Sequence, residues 1–114
     1  MTVERKPRYT NLKFHVAYDD GEGFMTASVF NISETGVFLE TAMPLAAGKR
    51  VQLTPLLSES AGLFELDGEI VRAEEAGDEL SGHPAGMAVH FVDMSEGLKT
   101  QLRALLAEAE AGLV

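Results

Sequence analysis

A short polar segment, residues 31–36, separates two β-prone stretches and limits how the chain can fold. Residues 24–30 and 37–39 are rich in Phe, Val and other strand-favouring side chains, whereas the segment between them contains Asn, Ser, Glu, Thr and Gly. Such residues bend a chain through local hydrogen bonds and, at glycine, through positive φ. The pattern predicts a hairpin turn.

The same segment also has a functional interpretation. Asn31 and Ser33 stand two residues apart, so on an extended chain their side chains project from one face. Together with Gly36 they form a candidate platform for a small polar ligand. Local chemistry favours the plain turn over the ligand platform. Evidence for the platform therefore has to come from other segments of the chain.

Alternating apolar and polar residues recur along the chain and predict six short strands. These strands cover residues 12–17, 24–30, 37–41, 49–54, 63–73 and 86–92. The segment 19–23 has the residues that hairpin turns demand, whereas 55–62 and 74–84 are typical of loops. Gly68 is expected to mark a bulge in the fifth strand.

The chain then continues into a predicted helix over about residues 95–111. Ser95 is a suitable N-cap, and Glu96 places negative charge in the first turn. Apolar side chains repeat at helical spacing at Leu98, Leu102, Leu105, Leu106 and Ala109. Six strands followed by one helix predict a mainly β fold, a small barrel or closed sheet with the helix packed on it.

The length of 114 residues suits one domain. We expect a basic leader over residues 1–11 and a single domain over 12–114. The net charge of −9 argues against a DNA or RNA partner, because phosphate neutralisation needs a basic surface. Four of the nine basic residues nevertheless fall in the first thirteen positions: Arg5, Lys6, Arg8 and Lys13. Such a cluster suits a small anion better than a polymer.

Several function classes lack support in the sequence. The chain has no cysteine, no apolar run of the ~18 residues that span a bilayer and no signal-peptide core, so we expect a cytoplasmic protein without membrane insertion. His15, His83 and His90 are scattered and lack metal-ligand spacing, and no serine stands in a nucleophile elbow. We therefore predict no enzyme, no metal and no cofactor.

Three segments and the terminal helix resemble the PilZ domains, which are bacterial receptors for cyclic di-GMP. The segments are residues 4–8 (Glu-Arg-Lys-Pro-Arg), 31–36 (Asn-Ile-Ser-Glu-Thr-Gly) and 86–91 (Gly-Met-Ala-Val-His-Phe). The second segment looks like the family's (Asp/Asn)-x-Ser-x-x-Gly signature and is the most specific of the three. The resemblance covers nearly the whole chain.

The resemblance implies a six-stranded antiparallel β-barrel with a C-terminal helix. It also implies a cyclic di-GMP site in which an arginine leader wraps over a ligand held against the barrel. Arg8 matches the second arginine of the family's Arg-x-x-x-Arg motif, while Asn31, Ser33 and Gly36 match its signature. The first arginine position holds Glu4, and Arg5 is displaced from it by one residue. An arginine side chain can span that displacement, because an extended chain advances about 3.3 Å per residue.

Two hypotheses from different classes follow. In the first, cyclic di-GMP binds Arg5, Arg8, Asn31, Ser33 and Gly36, orders the leader and changes the surface that a protein partner meets. In the second, Glu4 disables the site, and the domain is a ligand-independent adaptor in motility or envelope regulation. The intact signature and the basic cluster favour the first. The sequence leaves open whether the protein is a monomer or a homodimer, how many ligands it binds, and which partner it contacts.

Overall fold

The protein folds into a closed β-barrel followed by one helix, in a computed structural model that describes residues 14–56, 65–77, 80 and 82–110. The strands are β1 (His15–Asp19), β2 (Phe24–Ile32), β3 (Gly36–Glu40), β4 (Arg50–Leu56), β5 (Leu66–Glu74) and β6 (Gly86–Val92), and the helix is α1 (Glu96–Glu110). The strand order around the barrel is β1-β2-β3-β6-β5-β4, with every neighbouring pair antiparallel. The predicted fold class is confirmed.

The alternation in the strands decides which side chains fill the barrel. In β6, Met87, Val89 and Phe91 are buried, whereas His90 between them is exposed. In β4, Val51 and Leu53 are buried in the same way. His15 and His90 both lie on the outer face, and His83 lies in the connection between β5 and β6.

Strand bounds differ from the prediction where pairing extends a strand beyond its local pattern. β1 continues to Asp19, which pairs with Phe24, and its predicted first residues, 12 and 13, lie outside the described part. β4 continues through Pro55, where a loop was predicted. There Pro55 pairs with Val16 of β1.

The predicted bulge at Gly68 is wrong. Gly68 pairs in register with Val51 on one side and Phe91 on the other. Its lack of a side chain serves packing instead, because a Cβ there would lie 2.5 Å from Cγ1 of Val89. The register shift in β5 falls between Ile70 and Arg72.

The predicted turn between β1 and β2 closes through its own carboxylates. Oδ1 of Asp19 accepts the backbone N–H of Gly21 at 2.8 Å, and Oδ1 of Asp20 accepts that of Glu22 at 2.8 Å. The hydrogen bond from the Glu22 N–H lowers the pKa of Asp20 below its ordinary 3.8. Partial burial opposes this shift, and Lys49, whose Nζ lies 3.6 Å from Oδ2 of Asp20, adds to it. Gly21 has a φ of 93°, which explains a glycine at this position.

The helix begins as predicted and packs against the barrel core. The backbone N–H of Leu98 donates to Oγ of Ser95 at 3.1 Å, which is an N-cap contact. Leu102, Leu105 and Leu106 are buried and belong to the same hydrophobic cluster as the barrel interior. No helix in the described ranges combines the length and the apolar character that a membrane crossing requires.

Candidate functional site

The signature segment forms the tight turn between β2 and β3, so the hairpin interpretation is confirmed. The backbone N–H of Ser33 donates to the carbonyl of Gly36 at 2.8 Å. The Ser33 hydroxyl accepts the N–H of Thr35 at 3.2 Å and contacts the Thr35 hydroxyl at 3.1 Å. Only 1% of Ser33 is exposed. The serine of the signature therefore holds the turn in shape from inside.

We expect Ser33→Ala to lower the free energy of unfolding by about 1–2 kcal/mol, because the Thr35 N–H loses its acceptor and a buried hydroxyl disappears. Urea denaturation measures the loss. Ser28→Ala in the preceding strand β2 is the matched control, since the Ser28 hydroxyl contacts only exposed His15 among the described residues, at 3.2 Å. Equal stability of the two variants would contradict a structural role for the Ser33 hydroxyl.

Gly36 allows β3 to approach β6 closely. It pairs with His90, and a Cβ at this position would lie 2.4 Å from the carbonyl oxygen of Val89. Backbone atoms cannot move aside as a flexible side chain can. The sequence analysis placed this glycine in a candidate ligand platform, and the structure gives it a packing role within the barrel itself.

Asn31 faces outward because β2 contains a β-bulge. The register shifts between Val29 and Asn31, with Phe30 as the extra residue. Val29 is buried, so strict alternation would turn Asn31 toward the core as well. The bulge instead pairs Asn31 with Phe38 on the outer face, where Asn31 is half-buried. Bulges commonly re-aim a side chain in this way.

A second bulge does the same for Arg72 in β5. The register shifts between Ile70 and Arg72, with Val71 as the extra residue, and Arg72 pairs with Ala88 on the outer face. The two bulged strands flank β3 and β6. Cross-strand pairs therefore align one outer row across four strands: Asn31, Phe38, Ala88 and Arg72. We call these four residues the outer row.

An aromatic cluster covers the Phe38 position of the outer row. Phe38 meets Phe30 and His83 edge to face, with ring centroids 5.9 and 4.5 Å away, and it is 2% exposed. Its ring also fills the space above Gly86, where a Cβ would lie 2.6 Å from Phe38 Cε1. The cluster fixes the β5–β6 connection at His83 against the outside of the barrel.

Glu74 links this cluster to Arg72. Its Oε1 accepts from Nε of Arg72 at 2.8 Å, and its Oε2 lies 3.0 Å from Nδ1 of His83. Sequence reasoning did not identify Arg72, Glu74 or His83 as one group. The adjacent apolar residues Ile70 and Val71, which break the alternation of β5, were the available signal for a bulge.

The two leader residues of the predicted site, Arg5 and Arg8, lie outside the described residues. The described part of the chain begins at Phe14, whose carbonyl accepts the N–H of Val29 at 3.0 Å, so Phe14 lies beside the Asn31 end of β2. Arg8 stands six positions before Phe14, a distance that a fully extended chain spans in about 20 Å.

The other side of the signature turn contacts the helix. A cavity of about 250 Å³ is lined by Glu34, Thr35, Lys99, Leu102 and Arg103. Nε of Arg103 donates to Oε1 of Glu34 at 2.5 Å, and that hydrogen bond raises the pKa of Arg103 above its usual value. The ion pair connects α1 to the turn. In the described part of the chain, no group of three or more His, Cys, Asp or Glu side chains is placed to hold a metal ion.

Comparison with known families and structures identifies the class of protein. The family model of the PilZ domain matches residues 3–108, so this chain belongs to the PilZ domain family. No curated protein matches the chain significantly.

Several solved structures share the fold at low sequence identity. The PilZ domain of YcgR from Escherichia coli with c-di-GMP superposes with a TM-score of 0.74 at 18% identity, covering 98% of this chain and 95% of that one. The motility inhibitor MotI of Bacillus subtilis gives 0.72 at 18% identity, covering 99% and 52%. The K. pneumoniae MrkH–c-di-GMP complex gives 0.73 at 14% identity, covering 99% and 55%. The chain thus spans about half the length of MotI and MrkH.

Proposed function

We propose that this PilZ domain binds cyclic di-GMP and passes the signal on through contact with a protein partner. The observation that carries the proposal is the intact signature turn, whose outward-facing Asn31 lies near Phe14, the first described residue after the basic leader. Similarity to PilZ structures solved with c-di-GMP supports it.

The chemistry of the residues suits this ligand. A guanidinium group binds phosphate oxygens or the O6/N7 edge of guanine through paired hydrogen bonds and stacks on bases, which suits Arg5 and Arg8. The amide of Asn31 contains both a donor and an acceptor, the combination that a base edge also presents. Ser33 and Gly36 would act mainly by keeping the turn in the shape that presents Asn31.

Ligand binding would draw the leader onto the outer face of the barrel and so change the surface that a partner meets. A receptor for an intracellular second messenger would work in the cytoplasm, and motility regulation is the output we propose. The partner would recognise the leader and the barrel together. We propose this role for the domain without catalysis of its own.

One observation favours a second candidate. Glu4 occupies the position four residues before Arg8, where the family has its first arginine. A carboxylate near two phosphates is electrostatically unfavourable. In the second candidate the domain does not bind cyclic di-GMP and acts as a protein-interaction adaptor in motility or envelope regulation.

Isothermal titration with cyclic di-GMP separates the two candidates. For the receptor we expect a Kd of about 1 μM or tighter, which corresponds to about −8 kcal/mol. We expect Arg8→Ala and Asn31→Ala each to weaken binding at least about tenfold, because each removes a polar contact to the ligand. Circular dichroism melting checks that both variants remain folded.

The matched control is Arg50→Ala. Arg50 is exposed on β4 and pairs with Glu69 and Asp93. Arg50→Ala therefore changes the net charge by the same amount as Arg8→Ala but leaves the signature untouched. Absence of binding by the unmodified protein would reject the receptor in favour of the adaptor. Binding that neither Arg8→Ala nor Asn31→Ala weakens would place the ligand at a different site.

A further inference from the structure

We propose that Arg72 is a ligand-contacting arginine of the cyclic di-GMP site and compensates for the acidic residue in the leader. The inference rests on the proposed function and adds a residue that the signature and the leader do not include. Its basis is the placement of Arg72 at the far end of the outer row from Asn31.

The two bulges are the first argument. Each inserts one residue at the same level of the barrel, in the two strands that flank β3 and β6. Without the extra Val71, alternation from buried Ile70 would turn Arg72 toward the core, where an unpaired guanidinium is very costly. With both bulges, the row has a polar side chain at each end, the Asn31 amide on β2 and the Arg72 guanidinium on β5.

The second argument is the orientation of the guanidinium. Glu74 accepts from Nε of Arg72 and is itself held by His83, whose ring packs on Phe30 and Phe38. A guanidinium that is bound at Nε still has the N–H groups of its two terminal nitrogens available for a forked contact with phosphate or guanine. The Arg72 side chain is 59% exposed, so these groups are accessible. Among the described residues, Glu74 is its only ion-pair partner.

The third argument is spacing. Neighbouring strands lie about 4.8 Å apart, so three steps place the backbones of Asn31 and Arg72 roughly 14 Å apart around the barrel. Between them lie Phe38 and the small, half-buried Ala88. The rings of Phe30 and His83 cover Phe38, so a ligand that joins the two ends would lie over these rings. Cyclic di-GMP carries two guanines and two phosphates, so one half can contact Asn31 while the other meets Arg72. Arg72 would then supply a forked N–H contact that Glu4 cannot make.

The test is isothermal titration of the full chain with cyclic di-GMP after substitution of Arg72. We expect Arg72→Ala to weaken binding about tenfold or more. Arg72→Lys should give an intermediate loss, because an ammonium keeps the charge but cannot form the forked contact. Glu74→Gln should weaken binding less than Arg72→Ala, since it only loosens the guanidinium.

Arg50→Ala serves as the control, because Arg50 has a side-chain exposure of 61%, close to that of Arg72, and is also held by carboxylates. We expect its affinity to stay within about twofold of the unmodified protein, since it makes no ligand contact. Thermal unfolding of the Arg72 variants should stay close to that of the unmodified chain, because exposed ion pairs contribute little to stability.

The outcomes separate this inference from the function it rests on. If the unmodified protein binds and Arg72→Ala binds equally well, the inference is overturned and the receptor function stands. Equal weakening in Arg72→Ala and Arg50→Ala would indicate general attraction of the ligand's charge and would also overturn it. If the unmodified protein does not bind, both proposals fall together.

Discussion

Gly86→Ala is expected to lower the free energy of unfolding by about 3 kcal/mol, because overpacking at a site that cannot relax lies at the upper end of such losses. A Cβ at this position would lie 2.1 Å from the carbonyl oxygen of Leu39 and 2.6 Å from Cε1 of Phe38. The first of these is a backbone atom of the neighbouring strand β3, where Gly86 faces Glu40. The new methyl group therefore has to push β3 and β6 apart.

The same substitution should disturb the outer row. Phe38 would lose its place above residue 86, and its contacts with Phe30 and His83 would shift with it. Because His83 also contacts Glu74, the guanidinium of Arg72 would be less well held. We therefore expect Gly86→Ala to weaken cyclic di-GMP binding even at temperatures where the variant is folded.

Urea denaturation of Gly86→Ala and Gly23→Ala provides the measurement. A Cβ at Gly23 would meet nothing within 4 Å, and its φ lies outside the left-handed region. We expect Gly23→Ala to be neutral or to gain up to about 1 kcal/mol through the unfolded chain. A Gly86→Ala variant as stable as Gly23→Ala would show that β3 and β6 can separate without cost.

The strands and the helix could be predicted because their signals are local. Period-two alternation, as at Val51 and Leu53, indicates the inward face of a strand before any pairing is known. The Ser95 N-cap and the leucine stripe of α1 are likewise contained within a few residues. The signature turn was recognisable for the same reason, since Ser33 and Gly36 contact each other.

The rest of the site depends on pairing between distant segments. Whether Arg72 faces inward or outward is decided by a one-residue shift against β6. The adjacent Ile70 and Val71 indicate a break in the alternation of β5, but they do not fix the register against β6. Gly68 was a reasonable candidate for the bulge, but its neighbours leave room only for a glycine and keep it in register. The Glu34–Arg103 ion pair joins residues 69 positions apart, so spacing in the sequence does not reveal it.

Leu106→Ala is expected to lower the free energy of unfolding by about 3 kcal/mol, within the range of 2–5 kcal/mol seen when a buried leucine is truncated. Leu106 is 1% exposed and belongs to the cluster that joins α1 to the barrel core. Truncation removes its methyl groups from that contact and leaves a cavity between helix and barrel. For a domain of 114 residues, such a loss is a large part of the total stability.

Leu80→Ala is the matched control, because the side chain of Leu80 is fully exposed and its removal should change the free energy of unfolding by less than about 0.5 kcal/mol.

The affinity of Leu106→Ala for cyclic di-GMP provides a second measurement. Asn31 and Arg72 belong to the barrel, so a folded Leu106→Ala variant should bind nearly as well as the unmodified protein. Weak binding by a folded variant would instead show that α1, through Arg103 and Glu34, helps to hold the signature turn in its binding shape.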